Sequence, residues 1–136
     1  MDVEKLVNKF GTRNPFKIAK EMNIVVTFEP LGEINGYFTT VFRQRQIHIN
    51  CYLSEQQKLF TAAHEVGHAV LHPKANTPFL KGSTFFSVNK LEKEANKFAL
   101  MLLISDEDLN EFKGFTLQQL SCIFGYPEEL MIQRIK

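Results

Sequence analysis

The chain has 136 residues, 44% hydrophobic and 23% charged, with a net charge of +1. That length buries a core without covalent staples, so one soluble globular domain over residues 1–136 is expected. The charge balance gives no electrostatic reason to expect nucleic acid or an anionic membrane as a partner.

The start, "MDVEKLVNKF", has acidic residues and no apolar leader core, and the longest apolar run, 98–104, is too short to span a bilayer. A cytoplasmic location is the resulting expectation. Val3, Leu6, Val7 and Phe10 recur at helical spacing and predict a helix over 2–10. "GTRNP" interrupts it, and Pro15 suits the first turn of a second short helix ending near Met22. "IVVTFE", 24–29, is rich in β-branched residues and predicts a strand. "INGYFTTVFRQRQIHIN" reads as a hairpin: 36–42 out, a polar turn at 43–45, and 46–50 back. Ile47 and Ile49 then share one face, and Gln46, His48 and Asn50 the other. His48 reads as an exposed strand histidine, with a substrate-groove contact as the alternative.

Ser54 with Gln57 three residues on is a capping box, so a helix should start there and run to about Leu71, where Pro73 stops it. Residues 74–86 lack a sustained period and read as a loop. A second long helix is expected over 88–104, its second half, "FALMLLI", apolar all round and therefore central. Three short helices should follow at 106–112, 116–124 and 127–135, separated at Gly114 and Gly125. The fold class is α+β: a small antiparallel sheet packed on a helical core (1–104), then a helical tail (105–136). Cys51 and Cys122 match no paired-thiol spacing and read as reduced thiols, buried or half-buried.

Chemistry concentrates in "TAAHEVGHAV". Residues four apart on a helix lie one above the other, so the imidazoles of His64 and His68 can converge on one ion. Glu65, one step round, can reach the attacking water instead, which separates the metal's task from the proton's. Ala62, Ala63, Gly67 and Ala69 are small, so another element can approach closely. His72 lies eight residues from His64, about 12 Å along the axis, so it cannot share an ion with it. It reads instead as a neighbour of a ligand, a helix C-terminal cation or a structural residue.

A catalytic zinc takes three protein ligands and one open position. In "KLEKEANKFALMLL", Glu92, Ala95, Asn96 and Ala99 share one helical face while Glu94 points away. Glu92 is therefore the expected third ligand, and Asn96 the residue that fixes a histidine tautomer. The alternative for Glu92 is a capping box with Asn89. Tyr37, Tyr52, His48 and His72 are all open as the oxyanion partner, and such a donor set also accepts other divalent ions.

Together, "IHINCYLSEQQKLFTAAHEVGHAVLH" and "LEKEANKFALMLLI" resemble the ImmA/IrrE family of zinc metallopeptidases of bacteria, phages and integrative elements. The shared pattern is a strand ending in Ile-x-Asn, a His-Glu-x-Gly-His helix, and Glu-x-x-Ala-Asn-x-Phe-Ala before a leucine-rich run. It covers 15–104 well and the tail loosely; Ser105 departs from the proline that ends the run in many members. The resemblance implies a zincin-like core with ligands His64, His68 and Glu92 and general base Glu65. It also implies cleavage of a helix-turn-helix transcriptional repressor, relieving repression of a mobile element or of stress genes. The compact length favours the mobile-element type.

The tail "TLQQLSCIFGYPEELMIQRI" has a helix-turn-helix cadence of its own. Its second helix opens on Pro127, Glu128 and Glu129, which would repel phosphates, so direct nucleic-acid binding is not expected. A different class of function, an antirepressor that sequesters its partner without cutting it, needs no general base, and the intact Glu65 counts against it.

Overall fold

The computed structural model describes residues 2–74 and 86–135. The elements run α1 (Val3–Phe10), α2 (Pro15–Glu21), β1 (Val25–Glu29), β2 (Gly36–Val41), β3 (Gln44–Asn50), α3 (Glu55–Leu71), α4 (Phe86–Leu103), α5 (Asp106–Asn110), α6 (Leu117–Phe124) and α7 (Glu128–Ile135). The class is α+β, as expected, and no helix among the described residues is long and apolar enough to cross a membrane. The expected loop at 74–86 lies almost wholly outside the described residues.

Local chemistry accounts for most helix ends. Asp2 caps α1, which Gly11 closes with φ of 67°. Asn14 caps α2 just before Pro15. At α3, Ser54 Oγ accepts from the Gln57 amide and Gln57 Oε1 accepts from the Ser54 amide, satisfying two otherwise orphaned donors. Ser105 and Thr116 open α5 and α6 with the same reciprocal box.

The sheet departs from expectation in one respect. Its order is β1-β3-β2, with β3 antiparallel to β2 but parallel to β1, so the sheet is mixed. The return strand of the hairpin inserts between its predecessors, and the loop 30–35 crosses its end. Asn50 holds that crossing: its Nδ2 donates to the carbonyls of Gly32 and Ile34, its Oδ1 accepts from the Tyr52 amide, and its own amide donates to Asn35. Side-chain alternation reports which face is buried and not which strand lies alongside, so the pairing was invisible in sequence. The hairpin tip is also tighter than expected. Phe42 and Arg43 form a two-residue turn, φ 51° and 67°, the geometry that untwisted type I turns cannot supply between strands. Neither residue is the Asn or Gly that usually signals such a turn.

Phe38, Ile47 and Ile49 are fully buried beneath the sheet with Ala62, Ala63 and Val66 of α3 and Phe98, Ala99 and Leu102 of α4. A second cluster joins Leu100 and Ile104 to Leu120 and Met131 of the tail, and Phe60 of α3 packs on both. The tail helices thus pack against α4 through Leu120 and Met131. Both cysteines are free; Cys51 is half-buried, but Cys122 is exposed rather than buried, because α6 turns Leu120 inward.

The C-terminus of α4 is held from both ends of the chain. Arg13 Nη1 donates to the carbonyls of Met101 and Leu102, while Arg134 Nε and Nη2 donate to that of Ile104. These are the carbonyls a helix leaves unpaired, at the end where positive charge is favourable. Arg134 also meets Asp106 at 2.8 Å, but that carboxylate is 72% exposed, so the pair adds little. Arg134→Met should therefore cost about 1–3 kcal/mol in urea denaturation, the cost of orphaning a buried carbonyl. Asp106→Ala should cost less than about 1 kcal/mol.

Candidate metal centre

Helix α3 is buried from Thr61 to Ala69, with Glu65 and His68 fully enclosed and His64 6% exposed. Its closest neighbour is α4. A Cβ built on Gly67 would lie 3.0–3.2 Å from the Phe98 side chain, and Ala63, Ala95 and Ala99 are fully buried. The small residues thus allow the approach, as expected from their spacing. Gly67→Ala should lower stability by about 1–3 kcal/mol, because the ring must move in a close-packed interior. A calorimetric or urea measurement showing no loss would mean that the two helices can part at no cost.

That approach brings Glu92 onto both histidines. Glu92 Oε2 lies 3.0 Å from His64 Nε2, and Oε1 lies 2.9 Å from His68 Nε2. The two imidazoles stand edge to face, 4.8 Å between centroids. Donors bound about 2 Å from one tetrahedral ion sit about 3.3 Å apart, so each carboxylate–imidazole pair need open by only a few tenths of an ångström. Nitrogen and carboxylate donors also suit a divalent transition metal. Glu65 offers a second carboxylate, its ligand atom within 4.8 Å of those of His64 and His68. Glu92 is the carboxylate in direct contact with both ring nitrogens. Asn89 falls inside α4, which begins at Phe86, so it cannot be the cap of a box with Glu92.

The outer nitrogens of the two histidines differ. His64 Nδ1 is buried without a hydrogen-bond partner among the described residues. His68 Nδ1 lies 3.0 Å from Nδ1 of His72, whose Nε2 lies 3.3 Å from Glu94 Oε1. Burial lowers the pKa of His72, opposed by its hydrogen bond to Glu94. Glu94, expected to be merely solvated, is 45% exposed and joined to this chain.

A cavity of about 180 Å³ opens onto the His64 side of the site, lined by Asn35, Phe60, Thr61, His64, Glu65, Glu92 and Asn96. Asn96 lines this wall, but it is not bonded to either outer histidine nitrogen as expected: His68 Nδ1 meets His72, and His64 Nδ1 has no partner among the described residues. Phe60 stacks loosely between His64, 6.3 Å away, and Tyr126 of the tail, 5.5 Å away. Asn35 and Phe60 were not singled out in sequence: one sits in a loop and the other reads as core. Two larger cavities, about 420 and 460 Å³, lie beside α2 and share none of these residues; neither contains a histidine.

None of the four oxyanion candidates lines this cavity. Tyr52 is 81% exposed. His48 is not free on the strand surface: Tyr37 stacks on it at 4.6 Å, and Glu29 and Gln46 hold its two nitrogens at 2.6 and 2.8 Å. Burial, and then the Glu29 charge, raises the Tyr37 phenol above its ordinary value.

A buried His-Glu-x-x-His helix facing a carboxylate on a second helix defines a metallopeptidase. The chain belongs to the Peptidase_M78 family, the IrrE N-terminal-like domain, whose family model matches residues 19–136. It is 42% identical over 131 residues to the "Uncharacterized immunity region protein 2" of Bacillus phage phi105, covering 94% of this chain and 83% of that protein. It is 34% identical over 131 residues to the metallopeptidase ImmA of Bacillus subtilis (strain 168), covering 92% and 76%.

Proposed function

We propose that the chain is a zinc-dependent endopeptidase of the cytoplasm, one metallopeptidase domain in which His64, His68 and Glu92 hold the ion and Glu65 is the general base. Its substrate on this reading is a helix-turn-helix repressor, whose cleavage relieves repression of a mobile element or of stress genes. The observation that carries the catalytic part is the meeting of two Nε2 atoms on one carboxylate, with a second buried carboxylate one residue along the same helix. The regulatory part is supported by the immunity-region name of the phage relative and the metallopeptidase name of the bacterial one.

A bound ion supplies Lewis acidity, lowering the pKa of water and polarising the scissile carbonyl. Glu65 takes the proton from the attacking water and passes it to the leaving amine. Its burial keeps bulk water from competing for that proton, and Phe60 shields the His64 side. Asn96, which lines the wall with Glu92, hydrogen-bonds substrate on this reading. The cavity is smaller than those that engulf small ligands, which suits an extended segment passing across it. Strand β2 ends the sheet and starts beside Asn35, so substrate backbone can add to that edge. Gly36 is needed there, since a Cβ would meet Thr61 at 2.6 Å.

The test is to incubate the chain with zinc and the repressor encoded beside it, and to weigh the products by mass spectrometry. Two fragments summing to the repressor plus water, absent when a chelator is added, are expected. An intact repressor that nevertheless loses its operator would instead identify an antirepressor acting by sequestration.

A further inference from the structure

His68 is bonded on both sides of its ring. Nε2 faces Glu92, and Nδ1 meets His72, which in turn meets Glu94. The direction of these bonds follows from what each group can do. An ionised carboxylate only accepts, so His72 Nε2 carries a hydrogen. In the neutral imidazole the other nitrogen then holds a lone pair, so His72 Nδ1 accepts and His68 Nδ1 must donate. With the hydrogen on Nδ1 committed to His72, Nε2, the atom that faces Glu92, is the one left to bind a metal.

We propose that Glu94 and His72 form a positioning relay that holds hydrogen on His68 Nδ1 and so reserves Nε2 for a metal. Metal-bound histidines commonly donate their outer N–H straight to a carboxylate or carbonyl. Here a second imidazole intervenes. His72 sits one turn beyond His68 at the cap of α3, its own amide donating to the His68 carbonyl at 2.7 Å. The His72 side chain is 10% exposed and that of His68 is fully buried, so water competes little for the bond between them. Glu94 lies two residues beyond Glu92, so α4 supplies both the direct contact to His68 and the remote acceptor. His64 has no such outer partner on its Nδ1 among the described residues.

The relay rests on the reading of His68 Nε2 as a ligand, and the two can fail separately. Long-range proton–nitrogen spectra of the ¹⁵N-labelled, metal-free protein should show hydrogen on His68 Nδ1. Glu94→Ala should lower the share of rings that carry it. Competition with a chromophoric chelator should show Zn²⁺ binding weakened by about 10–100-fold in Glu94→Ala and His72→Ala. His72→Gln, whose amide oxygen can still accept from His68, should recover most of that loss. Adding Glu94→Ala to His72→Gln should then change nothing, which a merely structural role for Glu94 would not produce. A wild-type His68 with no hydrogen on Nδ1, or a Glu94→Ala protein with unchanged ring populations and Zn²⁺ affinity, overturns the relay. A wild-type protein that takes up no Zn²⁺ overturns the ligand reading instead, and the metal-free spectra still decide the relay.

Discussion

Glu65→Gln should lower kcat/KM on the repressor by about 10²–10⁴-fold, the range of a removed general base, or roughly 3–5 kcal/mol of transition-state stabilisation. The substitution is chosen for its shape. Glu65 is fully enclosed in α3, so a smaller residue would leave a cavity and confuse lost chemistry with lost packing. Gln fills the same space but cannot take a proton. Zinc content and thermal midpoint should match wild type, with only the fragments missing on the gel. Activity within about tenfold of wild type would remove Glu65 from the proton transfer. Equal relief of repression by both proteins without fragments would sink the peptidase reading for this substrate.

Glu92→Ala should abolish stoichiometric zinc. Its carboxylate touches both ring nitrogens, whereas Glu94 reaches the same histidine only through His72. Removing a direct donor should cost more affinity than the 10–100-fold typical of an outer contact. Elemental analysis after gel filtration should find about one ion per wild-type chain and almost none in Glu92→Ala. Glu94→Ala, supplied with excess zinc, should still load. Melting gives an independent readout: zinc at a thousand times its Kd stabilises by about 4 kcal/mol, raising Tm by on the order of 10 °C. That rise should vanish in Glu92→Ala. A zinc-loaded Glu92→Ala and an empty Glu94→Ala would move the direct donor two residues along.

The helices were legible because their signals are local. Ser54 and Gln57, Asn14 and Pro15, and Asp2 each satisfy or tolerate an orphaned amide within their own turn. The proposed ligand helix was legible for the same reason, since His64, Glu65 and His68 take their relative positions from helical geometry alone. Contacts between distant segments were harder to read. Glu92 could be selected only by the face it shares with Ala95 and Asn96, and Gly67 gave a reason for close approach without naming Phe98.

Sequence by itself determined the α+β class, the bounds of most helices and the helix that carries the paired histidines. Those features depend on interactions within a few residues, whose geometry the backbone fixes. Tertiary structure decided what meets across the chain: β3 between β1 and β2, Arg13 and Arg134 on the end of α4, Phe60 against Tyr126, and His72 against Glu94. Such pairings depend on how buried surfaces settle against one another. Neither a repeat period nor a short motif records that. His72 shows the difference most directly: helical rise excluded it from sharing an ion with His64, but only the packing of α4 on α3 brought it a carboxylate.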